Sequence, residues 1–310
     1  MNPSQPHPPQ LSAVLQAPVA LPSQPRTVAL LLSELRMPQP SMRRLNQLFA
    51  TDPALAARLL AAANQAEHRL GQRVSCIPEA LVVLGLEQLR ALVAQAPLGL
   101  GAGWLQGLEL PDFWRYSVEV AKLARALAAA VQANAATAYA LGLVHGLGEF
   151  FIAGPSQDEK APLGGAATTR SGERGVSFFM HGADAPRAAG MNETAAVLHP
   201  NRARLEIHLY GYSYSQVSAA LAGTWNLPPL MAQALLHMQA PMQQAQFEPL
   251  TGVLHLACWR VRARAAHWDE RKLAVSFPGE VGLALGMDID MVLQQASIDW
   301  HAGGGLDVLL

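Results

Sequence analysis

Residues 37–93 read MPQPSMRRLNQLFATDPALAARLLAAANQAEHRLGQRVSCIPEALVVLGLEQLRALV, a series of short apolar helical patterns separated by helix-breaking residues. At Asp52-Pro53 the carboxylate can cap free amides, and proline fits the first position of a helix. Apolar residues then recur at helical spacing as far as Ala63, and Gly85 ends a further short helix. This stretch therefore predicts several short helices and no strand.

The rest of the chain continues the helical pattern. A long amphipathic helix is predicted over 113–135, a buried helix over 139–152, and further helices from 205 onwards. The later predicted helices span 215–225, 228–238, 249–267 and 279–295. No segment alternates with period two over enough residues to predict a convincing strand. The fold class is therefore predicted to be all-α.

Three later stretches accompany the opening one in a fixed order. They are FWRYSVEVAKLARALA (113–128), AYALGLVHGLGEFFI (138–152) and GYSYSQVSAALAGTWNLPPLMAQALLHM (211–238). Together with residues 37–93 they resemble the HDOD domain, a signalling relative of the HD-type metal phosphohydrolases. The resemblance implies a two-part helical bundle of the HDOD type, with a degenerate HD-like helical half.

The domain organisation follows from proline density and loss of apolar periodicity. We expect a flexible Pro-rich leader at 1–25, because its prolines prevent a helix from propagating. The HDOD domain is expected at 26–275, in halves 26–105 and 111–275, followed by a C-terminal helical extension at 276–310. Within the second half, 154–201 lacks sustained periodicity and is expected to be a mobile insertion, either functional or disordered.

The resemblance also locates a candidate site, at the positions where HD phosphohydrolases hold a divalent metal. Those positions carry Tyr116, His145, Gly146, Tyr214 and His237 in this sequence. A phenol remains protonated at neutral pH and is a poor ligand for a hard cation, and glycine offers no side chain. Even with Glu149 one turn beyond, the ligand set is too small for a hydrolytic site. We therefore expect a vestigial HD-like pocket, with no metal, no cofactor and no catalytic residue.

Each histidine of this pocket has two interpretations. His145 is either a remnant ligand or a core histidine bonded to a backbone carbonyl, and the same alternatives apply to His237. We favour the core interpretation, because a lone histidine in an apolar helix is more often structural. Tyr116 and Tyr214 are expected to fill the volume of the lost metal cluster.

Charge patterning argues against several partners. Lys plus Arg (22) nearly cancels Asp plus Glu (23), so nucleic acid is an unlikely partner.

The most basic stretch contains Arg260, Arg262, Arg264, Arg271 and Lys272. It is either a contact for a phosphate or nucleotide ligand or a solvated face, and we favour the solvated face because Asp269 and Glu270 interrupt it. The candidate interaction surface comprises Arg43, Arg44, Arg260 and Arg264.

Two features predict the compartment. The N-terminal sequence MNPSQPHPPQ lacks the basic residues of a secretory signal, and no apolar run is long enough and unbroken enough to predict a membrane span. Cys76 and Cys258 lie within apolar helical patterns, where buried free thiols are expected. The sequence therefore predicts a cytoplasmic protein that is not embedded in a membrane.

The resemblance implies a non-catalytic bacterial signal-transduction protein that acts through contacts with other signalling proteins. Two alternatives remain. The emptied pocket could bind a small ligand or nucleotide, which would make the protein a sensor. Alternatively, His145 and His237 could retain a weak metal-dependent phosphohydrolase activity.

Overall fold

The computed structural model describes residues 11–16, 21–65, 72–98, 110–153, 199 and 201–295. Regular structure in these ranges is helical, and pairing of extended backbone is limited to a single bridge between Ser23 and Leu98. The prediction of an all-α fold is therefore confirmed. The helices are α1 (Leu11–Gln16), α2 (Pro25–Leu35), α3 (Met42–Phe49), α4 (Pro53–Ala63), α5 (Ile77–Val83), α6 (Leu86–Ala94), α7 (Leu110–Ala130), α8 (Ala135–Val144), α9 (Gly148–Ala153), α10 (Arg202–Tyr210), α11 (Tyr214–Thr224), α12 (Pro229–His237), a 3-10 turn (Pro241–Gln243), α13 (Pro249–Ala265), α14 (Glu270–Ser276), α15 (Gly279–Leu285) and α16 (Ile289–Gln294).

Buried polar caps organise the first half, α2 to α6. Asp52 accepts a hydrogen bond from the Leu55 amide at 2.9 Å, as its position before Pro53 predicts, and another from the Gln24 amide at 2.6 Å. At the other end of α4, the buried Asn64 side chain exchanges two hydrogen bonds of 2.9 Å with the backbone of Val74. These bonds fix both ends of α4.

The second half is built around α7, along which α8 and α13 pack. A Cβ atom added at Gly142 would lie 2.4 Å from the Cα atom of Ala121, so glycine is what allows α7 and α8 to approach closely. Asn134 caps the start of α8, where its side chain accepts hydrogen bonds from the amides of Ala136 and Thr137. Close packing here positions α8 to deliver His145 into the core.

One hydrophobic core joins both halves. It includes Leu55 of α4, Leu123 of α7 and Val253 of α13, all of which are fully buried. It also includes Val281 and Val292 from the region predicted to be a separate C-terminal extension. The described part of that region therefore packs on the core, whereas 296–310 lies outside the described residues.

The expected flexible leader differs from the structure in its described parts. The proline-free run LSAVLQ forms α1, and Val14 is buried in a small cluster with Tyr212, Val217 and Leu221. Residues 21–24 are buried as well, and the Ser23 amide donates to the carbonyl of Pro97 at 2.8 Å. These parts of the expected leader are ordered because burial of the apolar side chains between the prolines offsets the entropy cost of ordering the backbone.

Two predicted helices are interrupted. The predicted helix over 139–152 is interrupted after Val144, where α8 ends. His145 lies in the short turn that connects α8 to α9. The predicted helix 279–295 also divides, because Gly286 adopts a left-handed conformation (φ +68°) and ends α15. The predicted insertion 154–201 lies outside the described residues except at 199 and 201.

The described stretch Ala135–Ile152 is long and apolar enough to cross a membrane, with a mean hydropathy of 1.3. Core helices of globular proteins share this length and composition, and 72% of the stretch is buried inside the protein.

Cys76 and Cys258 are buried free thiols, as predicted.

Candidate functional site

Four of the five predicted pocket residues meet in the core of the second half. The ring centroids of Tyr116 (α7) and His145 lie 5.0 Å apart, and those of His145 and Tyr214 (α11) lie 6.5 Å apart. Gly146 follows directly, and a Cβ atom there would lie 3.7 Å from Glu149 Oε1. The three rings are buried. The candidate site is therefore a packed aromatic cluster.

The break after α8 fixes the His145 ring. Its Nδ1 hydrogen-bonds the carbonyl oxygen of Gly142 at 2.6 Å, and its Nε2 has no hydrogen-bond partner among the described residues. Burial, with a smaller contribution from the charge of Arg262, lowers the pKa of His145 to about 3. The ring is therefore neutral near pH 7. This geometry matches the core interpretation of His145.

Arg262 of α13 lies against both tyrosines of the aromatic cluster. Its Nη2 donates to the Tyr214 hydroxyl at 2.9 Å, and its guanidinium carbon lies 5.5 Å and 5.7 Å from the ring centres of Tyr116 and Tyr214. The side chain is buried. The basic stretch was predicted to be a solvated face, and for Arg262 that prediction is wrong. Helical periodicity explains why, since Arg262 falls one turn after Cys258 on the buried side of α13.

A buried ion network adjoins this cluster. Arg202 Nε donates to Glu206 Oε1 at 2.8 Å, and Arg202 Nη1 lies 3.4 Å from Glu149 Oε2. Glu206 Oε2 accepts a hydrogen bond of 2.7 Å from the backbone amide of Tyr214, at the start of α11. Two carboxylates and two guanidiniums, including that of Arg262, therefore lie close enough within the core to influence one another electrostatically.

The pKa of Glu149 shows the cost of this burial. Desolvation, with a smaller contribution from the neighbouring Glu206, raises the pKa of Glu149 to about 7, although Arg202 and Arg262 act in the opposite direction. Burial also raises the pKa of Tyr214 to about 12, against the influence of Arg262. The phenol therefore stays protonated near pH 7.

His237 does not join the other four residues. It ends α12 with a half-buried side chain, and no contact of its ring with the cluster is found among the described residues. The neighbouring His255 of α13 instead hydrogen-bonds the carbonyl of Met238 at 2.7 Å through Nδ1. Burial lowers the pKa of His255, and Arg262 contributes in the same direction.

These donors do not fit a divalent metal. His145 offers one free nitrogen, position 146 offers none, and the phenols of Tyr116 and Tyr214 remain protonated. The guanidinium of Arg262 would repel a second cation at the centre of the cluster. No group of three His, Cys, Asp or Glu side chains with metal-binding geometry occurs in the ranges that the structure describes.

The candidate interaction residues differ in exposure. Arg43 and Arg44 are exposed on α3, whereas Arg260 and Arg264 are half-buried on α13. Arg264 lies near Glu119, and both line a cleft of about 410 Å³ that reaches the edge of Tyr116. The α3 pair is therefore the more accessible of the two.

The resemblance missed the charged residues of the core. Arg202 and Glu206 are four residues apart on α10, a spacing that predicts an ion pair but not its burial. Arg262 could have been identified from its position four residues after Cys258 and eight after Leu254, both buried.

Sequence and structure comparisons agree on the fold. The HDOD domain model matches residues 21–177, which is half of the chain. The MmoQ response regulator from Methylococcus capsulatus is 19% identical, with 90% of this chain and 99% of that chain covered and a TM-score of 0.62. A virulence factor from Campylobacter jejuni is 15% identical, with 92% and 93% covered and a TM-score of 0.61.

An HDOD domain protein of unknown function from Geobacter sulfurreducens is 19% identical over 93% of this chain and 92% of that one, with a TM-score of 0.47. No curated protein matches the chain. At these identities the structural likenesses show the fold alone.

Proposed function

The chain belongs to the HDOD domain family, and from this premise we propose that it is a bacterial, cytoplasmic regulatory protein that acts in signal transduction without catalysing a reaction. It works through contacts with other signalling proteins. The HDOD fold supplies a rigid helical scaffold, and its exposed faces carry the recognition.

The buried position of Arg262 carries this proposal. A hydrolytic HD site needs several fixed metal ligands and an open position for an activated water. Here the equivalent volume is packed with two tyrosine rings and a guanidinium that is hydrogen-bonded to Tyr214 at 2.9 Å. A permanent cation at this point opposes metal binding, because it would repel a second cation.

The same packing argues against the sensor alternative at this pocket. Tyr116, His145 and Tyr214 are each at most 1% exposed, so a ligand would have to displace core side chains to enter. The similarly folded MmoQ protein is named a response regulator, which is consistent with a regulatory role for this chain.

A hydrolysis assay tests the non-catalytic part of the proposal. The full chain is incubated with bis-p-nitrophenyl phosphate and added Mn²⁺, Fe²⁺ or Mg²⁺, beside the His145→Ala variant. We expect wild-type and variant to release the same background of nitrophenol. Metal-dependent hydrolysis that the wild-type has and His145→Ala lacks would overturn the proposal, because it would make His145 a functional ligand.

A capture experiment tests the regulatory part. The full chain is used as bait in extracts of its native cell, together with Arg43→Glu, which reverses an exposed charge on α3. We expect a reproducible signalling partner whose recovery falls with Arg43→Glu at an unchanged melting temperature. A second exposed-charge reversal, Arg36→Glu, is the matched control. The same loss in both variants, or no specific partner, would argue against recognition by this face.

A further inference from the structure

A second cavity lies between the two halves of the fold, away from the aromatic cluster. It has a volume of about 570 Å³, and its walls come from α3 and the turn after it, the start of α5, one face of α7 and the first turns of α8. We call it the inter-half cleft. Its size is in the range of small-molecule sites.

The inter-half cleft has a one-sided charge. Arg44 of α3 and both Lys122 and Arg125 of α7 line it, and no carboxylate is among its described lining residues. Lys122 and Arg125 are three residues apart, so they share a face of α7. Lys122 also lies near Glu119, which faces the neighbouring cleft. None of the three cations forms an ion pair within the part of the chain that the structure describes.

The wall of the cleft is held in place by contacts that cross between the halves. Tyr139 of α8 donates from its hydroxyl to the carbonyl of Ala50 at 2.8 Å, and the guanidinium of Arg125 lies 5.2 Å from the Tyr139 ring centre. The hydroxyls of Ser75 and Thr137 are 2.9 Å apart across the same junction. The stacked Arg125 is therefore pre-positioned, which reduces the entropy lost when it binds a ligand.

Part of the remaining lining is apolar. Leu48, Ile77 and Val118 form apolar walls of the cleft. A ligand suited to this lining carries concentrated negative charge at one end and an apolar or planar group at the other. Guanidinium groups with a lysine are the side chains that proteins use most for phosphate oxygens.

We infer that the inter-half cleft binds a small phosphate-bearing ligand, with its phosphates against Arg44, Lys122 and Arg125 and its remainder against the apolar walls. Binding there would tie α3 and α5 of the first half to α7 and α8 of the second. The site is separate from the aromatic cluster and does not depend on the proposed partner contacts.

Calorimetric titration of the full chain tests this inference. The probes are ATP, GTP, inorganic tripolyphosphate and adenosine. We expect phosphate-bearing probes to bind with an affinity that falls as salt rises, and adenosine to bind far more weakly, because the three cations recognise the phosphates. ATP binding more tightly than tripolyphosphate would assign a nucleotide, and equal binding would assign free polyphosphate.

The variants distinguish a specific site from general electrostatics. Arg44→Glu and Lys122→Glu should each weaken ATP binding about tenfold or more, as expected for the loss of a charge-assisted contact. Arg36→Glu makes the same charge change at an exposed position of the first half that does not line the cleft, so it should leave the affinity unchanged. Melting curves confirm that each variant is folded.

The inference would be overturned by no binding of any phosphate probe to the wild-type, by equal weakening in Arg36→Glu and Arg44→Glu, or by equal affinity for adenosine and ATP. A poly-glutamate peptide that binds in preference to ATP would also overturn it, in favour of an acidic protein segment. None of these outcomes depends on partner capture, so this site and the proposed function fail independently.

Discussion

Replacing His145 with leucine should make the fold less sensitive to acid. The buried ring has a pKa near 3, whereas an exposed histidine titrates at 6.5. Between these values the unfolded chain binds a proton that the native protein does not. The stabilising effect of a neutral, buried His145 is therefore fully present above pH 6.5 and is lost as pH falls towards 3.

The difference between the two pKa values sets how much unfolding free energy the wild-type protein loses in acid. The linkage relation gives a loss of about 2 kcal/mol of unfolding free energy between pH 7 and pH 5, and about 3 kcal/mol by pH 4. Leucine has no such titration. At pH 7 the variant loses the hydrogen bond to Gly142, which costs about 1 to 2 kcal/mol. We therefore expect His145→Leu to be less stable than wild-type at pH 7 and more stable at pH 4.

Guanidinium denaturation followed by circular dichroism at pH 7, 6, 5 and 4 measures this crossover. Asp52 and Glu149, whose pKa values burial raises to about 6 and about 7, shift stability in the opposite direction. They are present in both proteins, so their contributions cancel in the comparison. Tyr116→Phe is the matched control and should stay parallel to wild-type. A pH-independent difference between wild-type and His145→Leu would show that His145 does not keep a lowered pKa in the folded protein.

Three other predictions address the core. Arg262→Met should lower the unfolding free energy by about 1 to 3 kcal/mol, because it removes the buried hydrogen bond to the Tyr214 hydroxyl and the contacts with two tyrosine rings. The exposed Arg43→Met should cost less than about 0.5 kcal/mol in the same denaturation assay. Asn64→Ala should cost about 2 to 3 kcal/mol, since it removes the two bonds to Val74 that hold the end of α4; a cost near zero would contradict this role. Elemental analysis after extensive dialysis should find no stoichiometric divalent metal. One tightly held iron, manganese or zinc per chain would show that the residues of the aromatic cluster can hold a metal after all.

Local signals in the sequence predicted the helical elements well. The cap at Asp52 follows from an interaction within a few residues, for which spacing and residue type suffice. The end of α15 at Gly286 was missed, because a glycine inside an apolar helical pattern does not by itself show a left-handed backbone. The expected flexible leader was less accurate in its described parts. Proline density limits helix length, but it does not reveal that Val14 has a distant apolar partner in Val217.

Residue identity and order alone were enough to identify the all-α class and the family. The prediction that metal-ligand positions are replaced also comes from residue identity, and it stays a prediction. Tertiary structure alone decided what fills the site. Tyr214 and Arg262 are 48 residues apart in the chain and meet only through the packing of α11 and α13 around α7. Periodicity can place Arg262 on the buried side of its own helix, but it cannot show which groups balance its charge. That depends on long-range packing, as does the meeting of Arg44 and Arg125 from opposite halves at one cleft.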